Sequence, residues 1–168
     1  MTASPKEKKQ SAFKVLRFLF PTIFRAAPAA FLAYGVLSTL HGLSWGVQTL
    51  FQQRFFDKAT KLATGDSDLS YAFFALLFLA GATVTCQILN GVSNYIPEIS
   101  LSKISGKLSY EIHHKISKLA PVLFEEPSKL DTLNKAEQGK NQAVWFVFNF
   151  MSIFTFYVPY FIFMGGYL

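Results

Sequence analysis

Three stretches of this chain carry no charged side chain: Ala26–Gln53, Leu69–Pro97 and Asn141–Leu168, of 28, 29 and 28 residues. About 20 apolar residues suffice to cross a bilayer, so each stretch is long enough to span one. A water-soluble fold would have to bury all three in one core, and 168 residues are too few for a core of that size. Composition agrees, with 51% hydrophobic, 17% aromatic and 15% charged residues, the last against roughly 25% in an average soluble domain. The expected fold class is an all-α, polytopic membrane protein.

Charge distribution sets the orientation. The net charge of +6 and pI near 9.4 would suit a nucleic-acid binder if the charge were spread over a surface. It is not: residues 1–25, 54–68 and 98–140 carry +5, 0 and +1. Counting Lys and Arg alone gives six, three and seven in those segments, an alternation that places the first and third in the cytoplasm and the second outside. The expectation is a multi-pass protein of the cell membrane with a cytoplasmic N-terminus and no nucleic-acid partner. A cleaved signal peptide is a poor rival, because Lys14, Arg17 and Pro21 interrupt the apolar run from Phe13 to Phe24. The single Cys86, inside a charge-free stretch, excludes a disulfide framework, a cysteine-based zinc site and a redox pair.

Along the chain, residues 1–10 are polar, with nothing to bury, and are expected to be disordered. In residues 11–24, Phe13, Leu16, Phe20 and Ile23 fall at helical spacing beside Lys14 and Arg17, the pattern of a helix in the membrane plane, with Pro21 expected to break or bend it. A frayed extension of the first span is the alternative. The first span is expected over residues 28–56, beginning at Pro28. There His41, Ser44, Gln48 and Gln52 share a face, next to Leu40, Leu43, Val47 and Phe51. Gly65-Asp66-Ser67-Asp68 reads as a turn leading into a second span over 69–97, where Gln87, Asn90 and Asn94 share another face. Polar groups in hydrocarbon must face protein or water. These seven residues are candidates either to line a cavity or to hydrogen-bond between helices.

Beyond Pro97, Leu101, Ile104, Leu108, Ile112, Ile116, Leu119 and Leu123 keep a period close to 3.6, interleaved with Lys103, Lys107, Glu111 and Lys115. The second span is therefore expected to continue into the cytoplasm to about residue 123, a stalk of roughly 40 Å. His113-His114 read as solvated or packed, and His41 is alone, so no metal site is expected. Pro127 and Ser128 then open a short amphipathic helix of about 127–138 with Leu130, Leu133 and Ala136 on its apolar side and Gly139 as its stop. A Phe-rich third span is expected over 142–168. Its hydrophobic end, Tyr167-Leu168, reads as an interruption.

This order resembles the first half of the membrane domain of type I ATP-binding cassette exporters, cut after the third span. The most specific stretch is Leu123-Phe124-Glu125-Glu126-Pro127-Ser128-Lys129-Leu130-Asp131-Thr132-Leu133-Asn134-Lys135-Ala136, which is similar to the family pattern of a phenylalanine, acids and a proline followed by spaced leucines and an alanine. The resemblance implies an elbow helix, three spans with long cytoplasmic extensions, and a short transverse coupling helix. Phe124, Glu125, Pro127, Leu130, Leu133 and Ala136 would then form the coupling unit seated on a nucleotide-binding domain. It also implies a second transporter half, as homo- or heterodimer, and ATP and Mg held by that nucleotide-binding domain.

Neither a Gly-x-x-x-x-Gly-Lys-[Ser/Thr] loop nor a Leu-Ser-Gly-Gly-Gln signature occurs in these 168 residues. ATPase activity of the chain alone is not expected, no cofactor is assigned to it, and no catalytic set accompanies Glu125-Glu126. The expected function is the membrane-spanning part of an ATP-driven exporter of hydrophobic or peptide-like substrates. The alternative is a small three-span membrane protein that regulates or assembles with another membrane complex.

Overall fold

A computed structural model describes residues 12–66, 68–118 and 127–167. Every element among them is helical: α1 (Ala12–Ala26), α2 (Pro28–Ala63), α3 (Leu69–Ile116), α4 (Pro127–Ser152), a π-helical turn (Ile153–Tyr157) and α5 (Val158–Tyr167). Helices satisfy their own backbone hydrogen bonds, which lipid cannot do for them. Two of the helical runs, Leu69–Ile116 and Pro127–Tyr167, are long and apolar enough to cross a membrane, and α1 and α2 qualify together as a broken pair. The chain is thus a helical membrane protein with two to three such spans.

Proline and glycine act less as breaks than the sequence leads one to expect. Pro21 lies inside α1, which continues to Ala26. An interior proline costs about 3 kcal/mol, while Leu16 and Ile23 on either side of it are buried, each stabilising by about 1.5–3 kcal/mol. Pro97 likewise sits inside α3 without ending it. The first span does begin at Pro28, but its helix runs through Asp57 to Ala63. It stops where glycine conformation is required. Gly65 has φ +81°, its N–H donates to Leu62 O (3.2 Å) and the N–H of Asp66 donates to Lys61 O (2.8 Å), the paired bonds of a Schellman cap.

Two expectations about the polar end of the chain are corrected. Helix α3 ends at Ile116 rather than near 123: the bonding tightens at Lys118, whose N–H donates to Lys115 O three residues back (3.3 Å), while the Ser117 hydroxyl donates to His114 O (3.0 Å). Its extension beyond Pro97 is therefore about 29 Å. Leu119 and Leu123 lie outside the described residues. There is also no separate helix over 127–138: α4 runs without a break from Pro127 through Gly139 to Ser152. One glycine costs a helix about 1 kcal/mol, and Glu137, Lys140 and Asn141 around it are bonded to the neighbouring helix α3.

The chain forms two compact units. The first combines α1, α3 from Leu101 onward and α4 up to Val147. Its core is Leu16, Ile23, Ile104, Val144 and Val147. The expected stripe from Leu101 to Ile116 is buried or half-buried throughout. The second unit combines α2, α3 up to Ser100 and the chain from Phe148 onward, and buries Phe31, Tyr34, Ala72, Cys86, Ile96 and Phe148.

Candidate functional site

In the second unit, α2 meets the third span along residues the sequence reading passed over. Phe31, Tyr34, Ser38, Gly42 and Gly46 are the buried positions of α2 and recur every three to four residues. Phe31 and Tyr34 pack on Phe148 with ring centroids 4.7 and 5.1 Å apart. The hydroxyl of Thr155 donates to that of Ser38 (3.0 Å). A Cβ at Gly42 would lie 2.3 Å from the carbonyl oxygen of Phe156, and one at Gly46 would lie 2.4 Å from the Phe163 ring. Small residues let membrane helices approach this closely, and Gly42-x-x-x-Gly46 was the readable signal.

The carbonyl that meets Gly42 belongs to the π-turn. There the N–H of Val158 donates to Ile153 O, five residues back, and Pro159 follows one residue later. Proline has no N–H for an i−4 bond, and widening the preceding turn to i−5 bonding is a common accommodation.

The seven polar candidates are scattered over different surroundings. Ser44 lines an apolar cavity of about 410 Å³ between α2 and α3, with Val47, Phe51, Leu77, Phe78 and Gly81 among its walls and none of the other six. The hydroxyl of Ser44 is already committed to His41 O (2.7 Å). His41 packs against Phe156, with ring centroids 4.8 Å apart and the rings tilted at 50°. Gln48 Oε1 is buried with no partner among the described residues, and Gln52 is exposed. On α3, Gln87 and Asn94 are exposed and Asn90 half-buried, with Asn94 Nδ2 donating to Asn90 Oδ1 (2.8 Å) within the same helix. This amide face has no partner on another helix among the described residues, although it lies within the second half of a charge-free stretch.

In the first unit a polar seam joins α3 to α4. Lys140 Nζ donates to Glu137 and to Ser109, both at 2.6 Å. Ser109 donates to Glu137 at 3.2 Å, and His113 Nε2 lies 3.1 Å from Glu137 Oε1. Ser105 donates to Asn141 Oδ1 one turn further on. The hydrogen bond and charge of Lys140 hold the Glu137 carboxyl below its ordinary range, with Ser109 and His113 adding to the effect. His114 stacks on Tyr110 instead. No group of three metal-ligating side chains occurs among the described residues.

Of the six coupling candidates, Phe124 and Glu125 lie outside the described residues. Pro127 is the first residue of α4 and is exposed, as are Leu130 and Ala136, while Leu133 is half-buried. Successive members of this series are neighbours on the helix surface, but a spacing of three winds the four half-way round α4, so that Pro127 and Ala136 fall on opposite sides of a helix continuous with the third span. Asp131 and Lys135 flank them as an i,i+4 ion pair of 2.8 Å.

Compared with family models, curated proteins and solved structures, the chain matches none of them.

Proposed function

We propose that this chain is the membrane-spanning part of an ATP-driven exporter of the ATP-binding cassette type, inserted with its N-terminus in the cytoplasm of the cell. Hydrophobic or peptide-like molecules are its substrates. ATP and Mg are held by a cassette domain outside these residues, and a second transporter half completes the pathway. The observation that carries this reading is the joined pair of helix extensions in the first unit. Helix α3 continues 19 residues past its charge-free stretch, about 29 Å, and is bonded through Ser105, Ser109 and His113 to the charged beginning of α4. A loop joining two spans needs no such structure, whereas two helices locked side by side can pass a rigid-body movement from a cytoplasmic motor to the spans. The exposed Leu130 at the start of α4 supplies a contact point for that motor.

The test is to isolate the protein with its bound partners from its own membranes in mild detergent and to measure ATP hydrolysis. The complex is expected to hydrolyse ATP, and Leu130→Asp with Leu133→Asp to abolish most of that hydrolysis while leaving the amount of inserted protein unchanged. A complex without an ATPase, or unchanged turnover in the double variant, overturns the proposal. The outward amide face of Gln87, Asn90 and Asn94 favours a broader second reading, a three-span protein that assembles with another membrane complex. In that case the complex forms but hydrolyses no ATP.

A further inference from the structure

We propose that the first unit holds the headgroup of an anionic phospholipid in a groove between α1, α3 and α4. The groove encloses about 670 Å³, within the range of small-molecule sites. Its floor is apolar, made by Leu19, Leu108, Ile112 and Ala143. Its polar lining is one-sided: Arg25, Lys107, Lys115, Lys135 and Lys140 against the single acid Glu111.

Two of these cations are already committed, Lys140 to Glu137 and Lys135 to Asp131, and Lys115 lies over the Phe18 ring at 5.6 Å. Arg25 and Lys107 have no carboxylate within ion-pair distance among the described residues. Arg25 and Lys140 each stand immediately before a charge-free stretch, at Ala26 and Asn141. That is where a chain passes from headgroups to hydrocarbon.

Cations gathered beside an apolar floor fit a molecule with a negative head and a greasy tail. Free phosphate would satisfy the cations but gain nothing from Leu19, Leu108 and Ile112. A zwitterionic headgroup would bring a positive charge into a groove that already has an excess of them. Helix α1 completes the fit: Phe13 and Phe18 on it are exposed, as expected of a helix lying among lipids. This inference rests on membrane insertion and not on the exporter reading.

The experiment uses the full chain purified in detergent and titrated with phosphatidylglycerol, phosphatidylcholine or inorganic phosphate, reading its melting temperature and, by native mass spectrometry, bound lipid. Phosphatidylglycerol is expected to raise the melting temperature and remain bound, while the other two do neither. Arg25→Gln with Lys107→Gln is expected to weaken its binding about 30-fold, since each juxtamembrane cation contributes about fivefold. Arg25→Lys with Lys107→Arg should restore it. Ala136→Trp, which fills the groove without changing charge, should also abolish binding. Lys58→Gln with Lys61→Gln, in the second unit, should leave binding unchanged. Equal binding of phosphatidylcholine, an equal effect of inorganic phosphate, or an equal loss in the Lys58 and Lys61 variant overturns the proposal. Loss of helical circular dichroism in none of the variants would show that binding, and not folding, had been changed, and undiminished binding by a folded Ala136→Trp variant likewise contradicts it.

Discussion

Replacing Gly42 by alanine should separate α2 from the third span, and the size of the effect follows from the contact it breaks. The added Cβ would lie 2.3 Å from the Phe156 carbonyl oxygen and 3.1 Å from its carbon. Ordinary carbon–oxygen contact is about 3.3 Å or more, so the two backbones must part by roughly 1 Å. No rotamer change can relieve this, because the obstructing atoms are main chain. Overpacking of this kind costs about 1–3 kcal/mol, and separation would also weaken the Ser38–Thr155 bond and the packing of His41 against Phe156. The opposing effect is the better helix propensity of alanine, up to about 1 kcal/mol. Gly81→Ala isolates that effect, since nothing stands within 4 Å of a Cβ there. Unfolding in mixed detergent micelles, followed by circular dichroism, should therefore show Gly42→Ala destabilised by about 1–3 kcal/mol relative to Gly81→Ala, because the propensity gain is common to both. Equal stability of the two variants would refute the close approach. Gly46→Ala should fall between them, because the Phe163 ring that it meets can rotate away.

The hydroxyl pair Ser38 and Thr155, tested in a double-mutant cycle with Ser38→Ala and Thr155→Val, should show a coupling of about 0.6 kcal/mol, the average for such bonds in membranes; zero coupling would deny the bond. The lowered Glu137 pKa means that its seam stabilises at neutral pH and loses that contribution as pH falls below the usual carboxylate value of 4.5. Melting temperatures measured from pH 7 to pH 3 should accordingly fall more steeply for the wild type than for Glu137→Gln, and parallel curves would contradict the assignment. Asn90→Leu with Asn94→Leu should leave the unfolding of the isolated chain nearly unchanged but reduce the size of its complexes on native gels, because among the described residues those amides bond to each other along α3 and to no other helix. Destabilisation of the isolated chain with intact complexes would count against an outward-facing amide surface.

Helix positions were legible where charge and periodicity speak together. Charge-free stretches mark the apolar helices because hydrocarbon excludes ions, and the Leu101–Ile116 stripe gives the buried side of α3 because burial follows the helical period. Terminations were harder to read. Pro21, Pro97 and Gly139 carry penalties of about 1–3 kcal/mol, which packing or side-chain hydrogen bonds can exceed, and those partners are remote in sequence. Lys140 binds Ser109, and Asn141 binds Ser105, across a separation of more than 30 residues. Gly65 ends its helix because glycine adopts the left-handed conformation of a cap, φ +81°, without steric cost.

Among the site candidates, the spacing of Gln87, Asn90 and Asn94 puts them on one face of α3, but spacing could not say which way that face points. The same holds for His41, Ser44, Gln48 and Gln52, whose neighbours on other helices are set by the glycine-lined approach of α2 to the third span. The groove beside Arg25 and Lys107 was not legible, since its three walls come from distant segments.

Single cysteines introduced on a Cys86→Ser background test the threading itself, using a membrane-impermeant maleimide on intact cells. The Asp66→Cys variant should be labelled from outside, and the Lys107→Cys and Lys129→Cys variants only after the membrane is opened. External labelling at Lys129, or protection of Asp66 from the outside reagent, would contradict a chain that carries its bonded α3 and α4 extensions on the inner side.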